Sequence, residues 1–598
     1  MYYGSVLRAV NMKSNARLLC RRFLSTEREF LATQKPSLSD LAKKNLVHNE
    51  KDGYVMKSPY ENISFPMDMT IDQYFWKNMP KWQNHVAVQC GVTGRKYTYA
   101  KLRDYCAALA IRLRNNMKLE KNDIVGICLP NVPEYVICWM GSAEASLVVT
   151  TINPWYTCEE ISRQLISSRP KAIFCLIDNF DVVKKACELA KQPDVKVIAI
   201  KTELSHSFRD DMISFTELMN PKGLNLSESS KFNKNTGYDD LTVLPYSSGT
   251  TGLPKGVMLT HNNLISNCEA MDVNLPYEPI IRPTTADFQD VLPCFLPFYH
   301  AYGLIIILLA KLSLGTKIIS IPKYEINSFL DITKQHKATF LHLVPPTVIQ
   351  LGNYKGAKPE HFKYVRTVMS AASNLAQNDA DRFKKVAHNA SFFQGYGLTE
   401  TSPLSTLTPQ GLQNYGTIGW PVANVDIKIA CVDDPSFKGL AANETGELLV
   451  RGPNIMKGYF KNDEATKAMI TEDNWLRTGD IGHYDENGLF YISDRLKELI
   501  KVNANQVAPA ELEGILREHP DILDAVVIGV SHPKCGEVPK AFAVRQPESN
   551  ITEEDVKQFV AKQVIKYKQL TGGVQFVDQI PKTATGKMLR REIRKLFS

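Results

Sequence analysis

Short apolar runs, separated by stretches of helical periodicity, recur along most of the chain. Asp123–Leu129, Lys171–Ile177, Val195–Ile200, Val291–Leu296 and Val365–Ser370 are each nearly continuous in apolar residues. Strands buried on both faces read this way, because a parallel sheet covered by helices has no solvent side. The alternation predicts an α/β fold of layered, largely parallel sheets. The last hundred or so residues change character. Pro509–His519 predicts a helix, and Ile522–Val530 and Val538–Val544 predict strands. Thr552 is placed to cap a helix from Glu553 to about Val564, with acidic residues in its first turn. Val574–Val577 predicts a short strand and Lys587–Leu596 a basic final helix. Together these predict a compact α+β unit.

The longest strongly apolar run, Leu304–Ala310, is closed by Lys311. It is far short of the roughly 20 residues that cross a bilayer. Residues 205–240 are polar and rich in Ser, Asn and Lys, and predict a surface excursion. The chain has 598 residues, 44% hydrophobic and 22% charged, which excludes a disordered or collagen-like polymer. The formal charge of +8 is small for this length and excludes a global nucleic-acid footprint. Twelve cysteines are scattered without a Cys-x-x-Cys pair, which argues against a disulfide scaffold or a zinc knuckle.

Five of the positive charges, Arg8, Lys13, Arg17, Arg21 and Arg22, fall in residues 1–26, which hold no acid. That composition predicts a mitochondrial transit peptide over about residues 1–36, with Arg21–Ser25 resembling its cleavage region. The expected address is the mitochondrial matrix, with the cytoplasm as the alternative. The terminal Lys595–Ser598 is not the Ser-Lys-Leu peroxisomal signal.

The strongest chemical signal is Tyr246-Ser247-Ser248-Gly249-Thr250-Thr251-Gly252-Leu253-Pro254-Lys255-Gly256, after the apolar Leu241–Leu244. Glycines let backbone N–H groups close on an anion, hydroxyls add donors, and Lys255 adds a point charge. The segment reads as a pyrophosphate cradle. It is not a Walker loop, which needs Gly-Lys-Ser/Thr, because Pro254 precedes Lys255 and Gly256 follows it.

This loop resembles the signature of the acyl-adenylate-forming superfamily, and further matches follow in family order. They are Pro297-Phe298-Tyr299-His300-Ala301-Tyr302-Gly303, Gln394-Gly395-Tyr396-Gly397-Leu398-Thr399-Glu400 and Trp475-Leu476-Arg477-Thr478-Gly479-Asp480. Asp494–Lys501 and Pro581–Lys587 complete the set. The chain is similar to the acyl-CoA synthetase, 4-coumarate–CoA ligase and luciferase branch over about residues 65–598. The resemblance implies a large AMP-binding N-terminal domain, residues 37–494, and a small mobile C-terminal domain, residues 495–598. It implies an ATP-dependent, Mg²⁺-assisted ligase that turns a fatty or aryl-aliphatic acid into an acyl-adenylate and then a coenzyme A thioester. No nucleic-acid partner is expected, and the sequence carries no signal of oligomeric state.

The resemblance also assigns roles. Lys587 would bridge the substrate carboxylate and the α-phosphate. Ser247, Ser248, Gly249, Thr250, Thr251 and Lys255 would cradle phosphates, and Thr399 would face the α-phosphate. Glu400 would hold Mg²⁺. Tyr396 would stack on adenine with Gln394 and Gly395 nearby, and Asp480 and Arg495 would bind ribose. His300 and Tyr302 would border the acyl pocket, with Ala371 beside it. Lys497 would be the hinge of a rotation that withdraws Lys587 and brings Lys501, Asn503, Ala504 and Gln506 to the thiol tunnel. Two departures stand out. Relatives in this branch carry Lys-Gly where this chain has Asn503-Ala504, which removes a cation and restricts φ. Ser370-Ala371-Ala372-Ser373-Asn374-Leu375 replaces a Ser-Gly-Ala-Ala-Pro-Leu pattern, and the methyl of Ala371 would reshape the acyl site. A non-CoA acceptor, a luciferase-like oxygenase and a non-catalytic nucleotide binder remain as alternatives.

Overall fold

The expected strands all form, and their pairing explains why they are so apolar. In the computed structural model, which describes residues 38–202, 207–247, 254–272, 282, 284–373, 375–432, 434–502, 505–583, 586 and 588–597, Ile124–Cys128, Val148–Thr151, Ala172–Leu176, Lys196–Ile200 and Leu241–Leu244 lie parallel in one large sheet. A second sheet pairs Phe340–Leu343, Thr367–Ser370 and Ser391–Gly397 in parallel, then turns antiparallel at Leu404–Leu407. A smaller sheet joins Val291–Cys294, Lys317–Ser320 and Val86–Cys90 in parallel. The fourth is antiparallel throughout and ends in the hairpin Leu476–Tyr484 with Phe490–Arg495. Helices cover the parallel sheets. Glu134–Glu144 is buried along its whole length, as expected of a helix enclosed on every side.

The apolar run becomes a buried π-helical segment, Tyr302–Leu309, in the largest hydrophobic core. Among the described residues, no helix is long and apolar enough to cross a membrane. The tail unit has its own core around Leu512, Leu516, Val527 and Ala541. Its sheet pairs Ile522–His532 with Gly536–Arg545, and Thr552 accepts a hydrogen bond from the Asp555 N–H at the start of the helix Glu553–Ala561.

Two expectations change. The final helix runs from Arg590 to Phe597 rather than from Lys587. A bridge between Lys582 and Met588, with the Leu589 N–H bonded to the Pro581 carbonyl, precedes it. The polar stretch 205–240 is not a mere excursion. Ser229 and Asn233 are buried, and their side chains donate to Glu144 and Asp72. Polarity misled here because these polar groups are satisfied inside the protein.

Candidate active site

Three sheets of the large domain and the tail unit meet around one cavity of about 770 Å³. Its polar end is built from strand register. In the hairpin Leu476–Tyr484/Phe490–Arg495, Asp480 and Arg495 are cross-strand partners. Arg495 Nε lies 3.0 Å from Asp480 Oδ1, and the Tyr396 hydroxyl donates to Oδ2 at 2.7 Å. Each carboxylate oxygen keeps a further lone pair for a sugar hydroxyl. Burial, then the Asp480 charge, pushes the Tyr396 phenol well above its ordinary range, so it stays a donor. For Arg495, burial opposes the charge, but Asp480 and its other neighbours outweigh burial and the guanidinium is held more firmly protonated.

The shoulders of the phosphate loop pair with each other, Tyr246 with Gly256 and Ser247 with Lys255. Ser247 Oγ donates to Glu400 Oε1 at 2.8 Å, and the Tyr459 hydroxyl donates to the same oxygen at 2.9 Å. Glu400 Oε2 accepts no hydrogen bond among the described residues. Lys255 Nζ sits 4.9 Å from the Tyr459 ring centroid. Burial, then the Glu400 charge, raises the Tyr459 phenol above its ordinary range.

The other end of the cavity is apolar. Tyr302, Ile306, Met369, Ala371 and Leu404 line it, and His300 lines the cavity beside Tyr302. The Tyr302 N–H donates to His300 Nδ1 at 3.3 Å. The Tyr302 hydroxyl lies 3.1 Å from Nδ1 of His342, a buried residue stacked on Phe340. Burial, reinforced by nearby Lys311, drives His342 well below the usual histidine range and keeps it neutral.

Thus Ser247, Lys255, Gly395, Tyr396, Thr399 and Glu400 surround one space. The same space holds His300, Tyr302, Ala371, Arg495 and Lys497, and Asp480 is reached through its bonds to Tyr396 and Arg495. Gln394 does not line it. Its buried side chain donates to the Tyr415 and Thr417 carbonyls instead, fixing the loop beneath the adenine-side strand. Lys501 is exposed on the tail strand Ile500–Val502, paired with Gln506 and away from the cavity. Ser248, Gly249, Thr250, Thr251, Asn503, Ala504 and Lys587 lie outside the described residues. Thr583, from the tail loop that leads to Lys587, lines the cavity. Tyr459 was not anticipated. It arrives because Gly458–Tyr459 pairs with Val257–Met258, a contact across some two hundred residues that no local pattern encodes.

Known proteins match this arrangement. The family model described as AMP-binding enzyme matches residues 75–460, and that of the AMP-binding enzyme C-terminal domain matches residues 511–587. 4-Coumarate–CoA ligase 3 of Oryza sativa subsp. japonica is 36% identical over 547 residues, covering 90% of this chain and 94% of the relative. 4-Coumarate–CoA ligase 1 of Arabidopsis thaliana is 34% identical over 576 residues, covering 94% and 99%. The crystal structure of ATP-bound MatB from Rhodopseudomonas palustris superposes with a TM-score of 0.77 at 26% identity, covering 88% of this chain and 99% of that one. A benzoate CoA ligase from Burkholderia xenovorans LB400, 23% identical with a TM-score of 0.76 and covering 88% and 100%, shares the fold. These relatives correct the mitochondrial address read from the N-terminal charges. They are plant 4-coumarate–CoA ligases, which are typically cytosolic or peroxisomal. Arg-rich, acid-free composition was the whole basis of that expectation, and residues 1–36 lie outside the described residues.

Proposed function

Because the chain belongs to the acyl-adenylate-forming superfamily of AMP-binding enzymes and is an AMP-forming acid–CoA ligase, we propose that its acid is an apolar carboxylate, fatty or aryl-aliphatic, seated against Tyr302 and Met369. The observation that carries this reading is that one cavity combines the hydrogen-bonded groups around Tyr396 and Glu400 with the apolar side chains of Ile306, Met369, Ala371 and Leu404. The names of the 4-coumarate–CoA ligase relatives favour the aryl-aliphatic option.

A carboxylate is a poor acylating agent, since its leaving group would be oxide. In the first half-reaction a carboxylate oxygen of the acid attacks the α-phosphorus of ATP and pyrophosphate leaves, giving the acyl-adenylate. Two anions must meet, so cations and oriented donors are needed around the α-phosphate. Lys255 and Ser247 supply these from the hairpin, Thr399 from the turn after the strand Ser391–Gly397, and Lys587 from the tail. Asp480, Tyr396 and Arg495 fix the ribose and the adenine. A single free carboxylate oxygen on Glu400 suits Mg²⁺, which takes one or two protein oxygens and fills its shell with phosphate and water. The ion would neutralise charge on the phosphates.

In the second half-reaction the coenzyme A sulfur attacks the acyl carbonyl and AMP leaves. The tail unit would turn about Lys497, withdrawing Lys587 and bringing Lys501 and Gln506 to the site. Thr583 lining the cavity while Lys501 is exposed away from it supports this as the adenylating arrangement. Asn503-Ala504 favours a second reading, an altered acceptor contact.

The test is acid-dependent exchange of labelled pyrophosphate into ATP, run with short to long straight-chain acids and with aryl-aliphatic acids. Exchange with apolar acids, followed by AMP release on adding CoA, is expected. Exchange without CoA-dependent AMP release would point to another acceptor, and light emission would point to the oxygenase.

A further inference from the structure

The tail loop is closed at its base by the Lys582–Met588 bridge and by the Leu589 N–H bonded to the Pro581 carbonyl. Inside it, the Gly586 N–H bonds the Thr583 carbonyl at 2.8 Å and Gly586 takes φ +79°. Gly586 also rests on the large domain. A Cβ built on it would lie 2.7 Å from Pro346 Cγ, 2.9 Å from Pro346 Cδ and 3.5 Å from Val344 Cγ2. Pro346 opens the helix Pro345–Asn353, whose preceding strand Phe340–Leu343 carries His342 behind the acyl pocket. A pyrrolidine ring at a helix start is a rigid surface, since its φ and ring torsions are fixed.

A cavity of about 430 Å³ adjoins this contact, lined by Pro346, Gln350 and Tyr354 from the large domain and by Leu523, Ile580 and Lys582 from the tail. The loop tip therefore touches this helix where the adjoining face is open. Lys582 of the same loop is paired with Asp524 at 2.5 Å, within the tail itself. The loop is thus stiffened by its own unit and meets the large domain through a residue with no side chain.

We propose that Pro346 is a positioning residue, the seat on which Gly586 stops the tail's inward rotation and so sets how closely the tail loop approaches the cavity. This rests on the reading of Lys587 as the adenylating cation. A missing Cβ is what lets the loop descend to this depth. One added carbon atom would hold it out, because neither the proline ring nor the bridged loop can give way cheaply. The contact belongs to the adenylating arrangement alone, so its loss spares the thiol step.

The experiment is a half-reaction cycle on the full-length enzyme. Gly586→Ala should lower acid-dependent ATP–pyrophosphate exchange by about tenfold or more, as a drop in kcat with KM for ATP and acid little changed. Thioester formation from preformed acyl-adenylate and CoA should stay within about twofold, which also reports that the variant is folded. Alanine at φ +79° carries its own backbone cost, so the decisive variant is Gly586→Ala with Pro346→Gly. Removing the ring should restore most of the lost exchange, up to the level of Pro346→Gly alone. Exchange unaffected by Gly586→Ala, equal loss of both half-reactions, or a double variant no better than Gly586→Ala would each overturn the seat. Lys587→Ala is run alongside. If exchange survives that change, the role of Lys587 falls, and coupling between positions 586 and 346 still decides whether the two surfaces meet.

Discussion

The two ends of the cavity are built by different physics. At the nucleotide end, positions are fixed by directional bonds. Asp480 is held by Arg495 and Tyr396, and Glu400 by Ser247 and Tyr459. At the acyl end, position is set by packing. Ile306, Met369 and Leu404 come from a π-helical segment and two strands of one sheet and touch through apolar surface. A hydrogen-bonded site needs particular residue types at particular register positions, whereas a packed site needs only summed shape. Under the proposed function the first takes the nucleotide, and the second changes acid by small changes of volume.

The largest expected effect breaks the polar end. Lys587→Ala should reduce exchange by about a hundredfold or more, the loss of a cation facing transition-state charge. Next, Asp480→Ala removes the group that orients both Tyr396 and Arg495. The kcat/KM for ATP should fall by at least about tenfold while the KM for acid stays put. An equal rise in both KM values would show that the two ends are not separable.

The unequal legibility of the two ends follows from the same division. Ser247, Lys255, Tyr396, Glu400, Asp480 and Arg495 were readable because polar chemistry writes recognisable motifs, and the structure brings them to one cavity. The α/β layering and the α+β tail were readable from buried-strand and cap patterns. Tyr459, Met369 and Ile306 were not, since strand pairing across hundreds of residues delivers them and an apolar residue at a pocket looks like any core residue. Gln394 sat inside a readable motif, yet its side chain serves the Tyr415–Thr417 loop. Burial of Ser229 and Asn233 was invisible because polar sequence carries no mark of a waiting carboxylate partner.

A smaller effect sharpens the acyl end. Ile306→Phe should lower kcat/KM for a long or bulky acid by about tenfold, relative to a short one, with the KM for ATP unchanged. The smallest concerns Tyr302. Its hydroxyl is engaged with His342, so Tyr302→Phe should shift the preference between acids with and without a distal hydroxyl by less than about threefold. A shift of tenfold or more would mean that this hydroxyl binds substrate.

Stability against pH offers an independent reading of the same wall. His342 and His261 are both depressed by burial, His261 to about 4, so each is neutral when folded and takes up a proton on unfolding below the ordinary histidine value of 6.5. The unfolded state then binds more protons, and these groups make stability fall as pH drops from about 6.5, by up to about 1.4 kcal/mol per pH unit for each. His342→Asn should flatten that acid limb in denaturant titrations at a series of pH values. An unchanged slope would mean that His342 is not neutral in the fold.

The central claim is that one cavity joins an apolar carboxylate to AMP before any thiol is involved. Exchange of labelled pyrophosphate into ATP, measured on the full-length enzyme with Mg²⁺ and without CoA, tests it most directly. Exchange that appears only when an apolar acid is added is the predicted result. A complete absence of exchange across straight-chain and aryl-aliphatic acids would contradict it.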